Sequence, residues 1–191
     1  MLSRSSFVAQ AHDTRASQLL EFAVALPLLV VFVVGIFDFG AAFNVKQKLA
    51  AAARNAARFS SSLPTDDLTS ASVPLSITTI RDLVSKDLTA AEINDCGLDT
   101  QAGSPTTTMT WTFAASGSGC PGTLTLTVER AYAFPATVSG VATAVDVISS
   151  RITISYPYQW RFNRVITLVA PGASYAGVTQ ITSNAVIPNI D

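Results

Sequence analysis

Charge is scarce in this chain of 191 residues. Charged side chains make up 13% of it, twelve Lys and Arg against thirteen Asp and Glu, for a formal net charge of −1. Soluble domains average about 25%. Nucleic-acid binding needs a basic stripe to offset phosphates, and past residue 62 the balance runs the other way, with six basic residues against ten acids. Histidine is scarcer still. The single one, His12, stands in the first sixteen residues, so Ser–His and Cys–His nucleophile pairs are excluded downstream of it. No glycine-rich loop of the phosphate-cradling kind is present. Cysteine is limited to Cys96 and Cys120, in the turn-like stretches NDCGLD and GSGCPG. They do not form a CxxC pair, so no metal site is expected. In an exported protein such a pair reads as one disulfide; in the cytosol it reads as two thiols. No cofactor site and no nucleic-acid partner are expected, and an enzyme reading fares poorly.

Hydrophobic sequence, by contrast, is abundant. The run LLEFAVALPLLVVFVVGIF is apolar almost without break from Phe22 to Phe37, pauses at Asp38 and resumes through Phe43. That is about the ~20 residues that span hydrocarbon, with Pro27 expected to kink the helix. One acid, Glu21, sits near its front edge. A carboxylate in membrane-grade sequence is costly and generally has both a job and a partner. If residues 1–16 are a leader removed between Ala16 and Ser17, the new α-amino group supplies the partner. Glu21 is then the fifth residue of the mature chain, one helical turn from that amine, and its carboxylate can pair with the amine of an adjacent subunit.

No strong helix stop follows the span. AAFNVKQKLAAAARNAARFSSS is rich in helix formers. Ala42, Val45, Leu49, Ala52, Ala56 and Phe59 recur at spacings of three and four along one face, with Lys46, Lys48, Arg54, Asn55 and Arg58 on others. One helix of about 45 residues is therefore expected to leave the bilayer as an amphipathic stalk and end at Ser60–Pro64. Asp66 and Asp67 then fall in a loop, and a second helix is expected near 76–91. Period-2 alternation marks three strands, 106–113, 123–134 and 150–162, and a fourth near 177–187. In the second, Leu124, Leu126, Val128, Arg130, Tyr132 and Phe134 face one way; in the third, Ser150, Ile152, Ile154, Tyr156, Tyr158, Trp160 and Phe162 do. Pro157 cannot donate to a ladder, which predicts an edge or a bulge there. The expected fold is α+β: a long N-terminal transmembrane and stalk helix packed by its C-terminal half on a small antiparallel sheet. The expected organisation is a leader (1–16), a transmembrane helix (17–43), its amphipathic continuation (44–62) and an extracytoplasmic head (63–191). Glu92, Asp95 and Asp99 around Cys96 read as a solvated loop beside a disulfide rather than an acid–base or calcium site, and Tyr156, Tyr158 and Trp160 as core rather than a glycan platform.

The stretch from Ala16 to Phe59 resembles the TadE-type minor pilins, or pseudopilins, of tight-adherence (Flp, type IVc) pilus systems. The resemblance is carried by Glu21-Phe22, by Ala25-Leu26-Pro27, by the Asp38-Phe39-Gly40 step and by AAARNAAR at 51–58; ISYPYQW and the last strand match more loosely. It implies a single-pass bacterial inner-membrane prepilin whose leader is cut by a dedicated prepilin peptidase, with the C-terminal domain outside the cytoplasm. Implied partners are other pilin or pseudopilin subunits, the pilus assembly platform and membrane lipid. The family's cleavage motif has Gly before the cut, where this chain has Ala16.

The positive-inside rule points the other way, with Arg4 and Arg15 before the span but Lys46, Lys48, Arg54 and Arg58 after it. The cysteine pair, the Thr-rich sheet and the resemblance outweigh it. Two other readings compete. In a secreted binding domain, residues 22–37 form the h-region of a signal peptide cut near Gly40-Ala41-Ala42. In an uncleaved single-span envelope protein, the Glu92–Asp99 cluster carries acid-based catalysis.

Overall fold

A computed structural model describes residues 14–69, 72–117, 119–136, 145–162, 172 and 177–190. The proposed leader therefore lies outside the described residues except for 14–16, which are helical. The chain divides into two compact units, Met1–Gly40 with Trp160–Gly177, and Ala41–Gln159 with Val178–Asp191. Helix α1, Thr14–Ser61, contributes to both and runs unbroken through Pro27.

In the second unit, the closing third of α1 packs on a five-stranded antiparallel sheet. The strands are β1 (Ser104–Thr107), β2 (Thr110–Ala115), β3 (Leu124–Ala136), β4 (Val145–Gln159) and β5 (Val178–Pro188), and they lie side by side in chain order. Leu49, Ala52, Ala53, Ala56 and Ala57 of α1 are buried against Leu124, Leu126 and Val128 of β3 and Ile152 and Ile154 of β4, in one core. The stripe is wider than the spacing of three and four suggests, because Ala53 and Ala57 join it, whereas Val45 and Phe59 are only partly covered. Alanine on this face lets the helix backbone come close to the sheet, and larger side chains there would overpack it. The helix ends where serine hydroxyls take over its last carbonyls: Ser61 Oγ donates to Arg58 O and Ser62 Oγ to Phe59 O, each at 2.9 Å.

Helix α2, Leu75–Ala90, covers the same core with Ile77, Ile80, Val84 and Leu88. Its N-cap position is Pro74, which has no side chain to offer. Asp67 reaches in instead, accepting from Ser76 N at 2.9 Å and from Ser76 Oγ at 3.0 Å. That satisfies an orphan donor and places negative charge at the positive end of the helix. At the other end Glu92 N donates to Thr89 O (3.0 Å) and Ile93 N to Leu88 O (2.9 Å), with Glu92 itself at φ +59°. This is the double hydrogen bond of a Schellman cap, whose left-handed position favours glycine. Glu92→Gly is therefore expected to raise stability by roughly 0.5–1 kcal/mol, measured as a higher denaturant midpoint for the full chain in detergent.

The sheet departs from the sequence reading in three places. The stretch 106–113 is not one strand: Thr107 pairs with Thr110 across a two-residue turn at Thr108–Met109, with Met109 at φ +54°. The register of β3 on β4 slips between Glu129 and Tyr132, so Arg130 and Ala131 oppose Ser150 alone, which is a β-bulge. The inward alternation Leu124, Leu126, Val128, Arg130 holds up to that point and then fails. Beyond it Phe134 is 45% exposed, and the Arg151 guanidinium lies 3.9 Å over the Tyr132 ring. Arg151 Nη2 donates to Glu129 Oε1 at 2.6 Å and its Nε donates to Glu129 Oε2, and this pairing holds the guanidinium pKa above its ordinary value.

The third departure concerns β4. It is an interior strand rather than an edge, yet it outruns β3, whose pairing with it ends at Thr125–Ser155. Pro157 lies past that end and faces only β5, opposite Gln180, so its missing N–H breaks no ladder. The strand closes at Gln159, and Trp160 and Phe162 are not part of the sheet. Tyr156 packs against the core, and burial pushes its phenol pKa up.

Arg130, inward on the bulge and 2% exposed, donates from Nη2 to Leu63 O at 2.8 Å. Its own carbonyl accepts from Asn189 Nδ2 at 3.0 Å, Asn189 Oδ1 accepts from Ser150 Oγ at 2.7 Å, and Ser150 Oγ accepts from Ser60 Oγ at 2.9 Å. These bonds tie the end of α1 to β3, β4 and the chain end.

Candidate functional site

Four of the residues singled out on the front helix lie on its outside. Ser17, Glu21, Phe22 and Pro27 are exposed. Apolar residues surround the acid: Leu19 and Leu20 are about 70% exposed and Phe22 64%. None of the most apolar stretch of this helix is buried, and the helix is long and apolar enough to cross a membrane. In water, so large a continuous apolar wall would be a severe liability; in a bilayer every backbone group of a helix is already satisfied. One such helix fits a single-pass membrane anchor. Glu21 has no ion-pair partner among the described residues. Its position four residues beyond Ser17 puts both on one helical face, about one turn apart.

A second acid in the apolar run is placed differently. Asp38 is 5% exposed, and its Oδ2 accepts a hydrogen bond from Phe162 N at 2.8 Å. Gly35, Asp38 and Phe39, at i, i+3 and i+4, form one face on which Phe162 and Trp160 rest. A methyl added at Gly35 would lie 3.6 Å from Phe162 Cε2, and the Phe39 and Trp160 rings meet edge to face with centroids 5.2 Å apart. The cleft lined by these five residues holds about 60 Å³, too little for an organic ligand, whose pockets run to roughly 300 Å³ or more. Sequence reasoning placed Trp160 and Phe162 in the sheet. The available signal was Asp38 itself, an acid inside an apolar run that asks for a partner.

Cys96 and Cys120 are bonded, with their Cα atoms 5.6 Å apart. Around them the acids serve the loop. Asp95 Oδ2 accepts from Ser85 Oγ at 2.6 Å and Asp95 Oδ1 from Gly97 N at 3.1 Å, while Asn94 Oδ1 accepts from Cys96 N at 2.9 Å. Glu92 is the helix cap, and Asp99 is exposed in a short 3-10 turn. Among the described residues no group of His, Cys, Asp and Glu is arranged to hold a metal ion.

No curated protein and no solved structure matches this chain. Residues 16–58, which take in the unburied apolar helix and the alanine face by which α1 enters the core, match the model of the pilus-associated family described as TadE-like protein.

Proposed function

We propose that this chain is a minor pilin or pseudopilin subunit that supports assembly of a tight-adherence type pilus or a related secretion fibre. The observation that carries the proposal is the join between two halves of one helix. Its front is an apolar wall whose most apolar stretch is nowhere buried, and its back is the centre of a packed α+β head. A subunit built this way sits in the membrane by its front half and passes into a fibre by packing that same half against sister helices. Glu21 gives the register. A prepilin peptidase removes residues 1–16, and the α-amino group of Ser17 on one subunit neutralises the Glu21 carboxylate of the next, while Phe22 and Pro27 shape the contact. The head, residues 63–191, stands outside the cytoplasm, where the Cys96–Cys120 bond persists. Other pilins, the peptidase and the inner-membrane assembly platform are the partners in this reading. It assigns no catalysis to the chain.

Intact-mass measurement and N-terminal sequencing of the protein from the membrane fraction test the proposal. The expected mature chain begins at Ser17. A chain that keeps its first sixteen residues, or one that begins near Phe43 and is recovered in the soluble fraction, overturns it.

A further inference from the structure

The distance from Ser17 to Asp38 along α1 is about 32 Å at 1.5 Å per residue, which matches the ~30 Å hydrocarbon thickness of a bilayer. With the front of the helix at one boundary, Asp38 therefore falls at the other. A segment from far along the chain is fastened at that level. Phe162 N donates to Asp38 Oδ2, the Phe162 side chain lies against Gly35, and Trp160 packs on Phe39. Gly35 is nearly one turn deeper than Asp38, and Phe39 is one residue further out. The order of the three consecutive residues then follows the chemistry of a membrane surface. Phe162, wholly apolar, is set on the hydrocarbon side. Trp160, whose ring is apolar and whose indole N–H needs a polar partner, is set at the level where such rings accumulate. Arg161 between them is exposed and carries the charge that pairs with lipid phosphate.

We infer that Trp160–Arg161–Phe162 is a second membrane-contacting element, seated in the phospholipid headgroup layer at the end of the span opposite Glu21 and clamped there by Asp38. This rests on the membrane reading of α1 given above. The occupant is the lipid interface rather than a sister subunit, because the element is continuous with the apolar span and pairs a cation with aromatic rings at the depth where phosphates lie.

The chain has two tryptophans, and Trp111 is buried in the core at 5% exposure. In the Trp111→Phe protein, reconstituted in vesicles of phosphatidylethanolamine and phosphatidylglycerol, all indole emission comes from Trp160. If that variant misfolds, the difference between the wild-type and Trp160→Phe signals supplies the same reading. Lipids brominated near the headgroup are expected to quench Trp160 at least twofold more than lipids brominated near the chain end. Asp38→Ala is expected to abolish that preference. Emission that no brominated lipid quenches overturns the inference, whether it is open to acrylamide (an element in water) or shielded from it (one covered by a sister chain). A Phe32→Trp reporter in a Trp111→Phe, Trp160→Phe background separates the causes. If deep bromines quench it while Trp160 stays unquenched, the anchor stands and this inference alone falls. If neither is quenched, the membrane reading falls and takes the inference with it.

Discussion

Glu21→Ala is expected to reduce the amount of assembled fibre by at least an order of magnitude while leaving the head folded and the chain in the membrane. Removing the acid makes the front helix more apolar, so insertion is not impaired. What is lost, on the proposed pairing, is the neutraliser for the α-amino group that leader removal would expose on the neighbouring subunit. In a low-dielectric contact, one unpaired charge opposes association far more than an absent pair does. Glu21→Gln keeps the size and hydrogen-bonding capacity and discards only the charge, so it should fail nearly as badly if pairing is the mechanism. It should be close to wild type if the residue acts through shape. Sheared-fibre yield, set against subunit abundance in the membrane, reads both variants. Full assembly of Glu21→Ala would remove the pairing from the proposal.

The two acids of the apolar run show what was legible in sequence and what was not. Glu21 is conspicuous because its surroundings are uniformly apolar, and a single span with one acid near its front needs no tertiary information to be noticed. Asp38 is equally visible, but its partner is a backbone N–H at residue 162, a contact between positions 124 residues apart, and local periodicity is blind to that. The two α-helices were legible, but the 3-10 turn Asp66–Thr69, whose acids read as loop, was not. α1 and α2 carry long apolar stripes, and α2 spans Leu75–Ala90 against an expectation of 76–91. The last strand, Val178–Pro188, lies within one residue of the expected 177–187.

Strands failed where the alternation carried across a break without leaving a mark. Thr at every even position from 106 to 112 conceals a turn that has no Gly, Asn or Pro to announce it. The bulge at Arg130 conceals a change of face in the middle of β3. An arginine among Leu124, Leu126 and Val128 was the one hint, because a long charged side chain is rarely fully buried without a built receptor. Trp160 and Phe162 continued the parity of β4 and were assigned to its inner face. Parity can run on past the end of a strand, and only the sheet's own pairing, which stops at Gln159, shows where the strand ends.

The second large effect belongs to the cysteines. Replacing both Cys96 and Cys120 with serine is expected to destabilise the folded head by about 3–4 kcal/mol, the chain-entropy value for a closed loop of this size. The closed segment has a sequence separation of 24. It includes the hairpin β1–β2, whose first strand is exposed along its whole length, and a loop in which Cys96 itself stands at φ +58°. The loop and β1 have little other means of holding their place, whereas β2 is paired with β3 and buries Trp111, Phe113 and Ala115 in the core. Gly117 N donates to Cys96 O at 3.0 Å and Cys120 N to Gly117 O at 3.2 Å, so the two turns are joined by backbone bonds that the covalent link keeps in register. With the link gone, the loop at 94–100 and strand β1 should exchange amide hydrogens well before the Leu126–Ile154 core does. Denaturant unfolding of the double variant in detergent gives the magnitude, and hydrogen exchange gives the order of opening. The same bond bears on which side of the membrane the head occupies. Protein isolated without reductant and alkylated in denaturant should show neither thiol reactive. Two reactive thiols would place the head in a reducing compartment, as the distribution of Lys and Arg around the span suggests when taken alone.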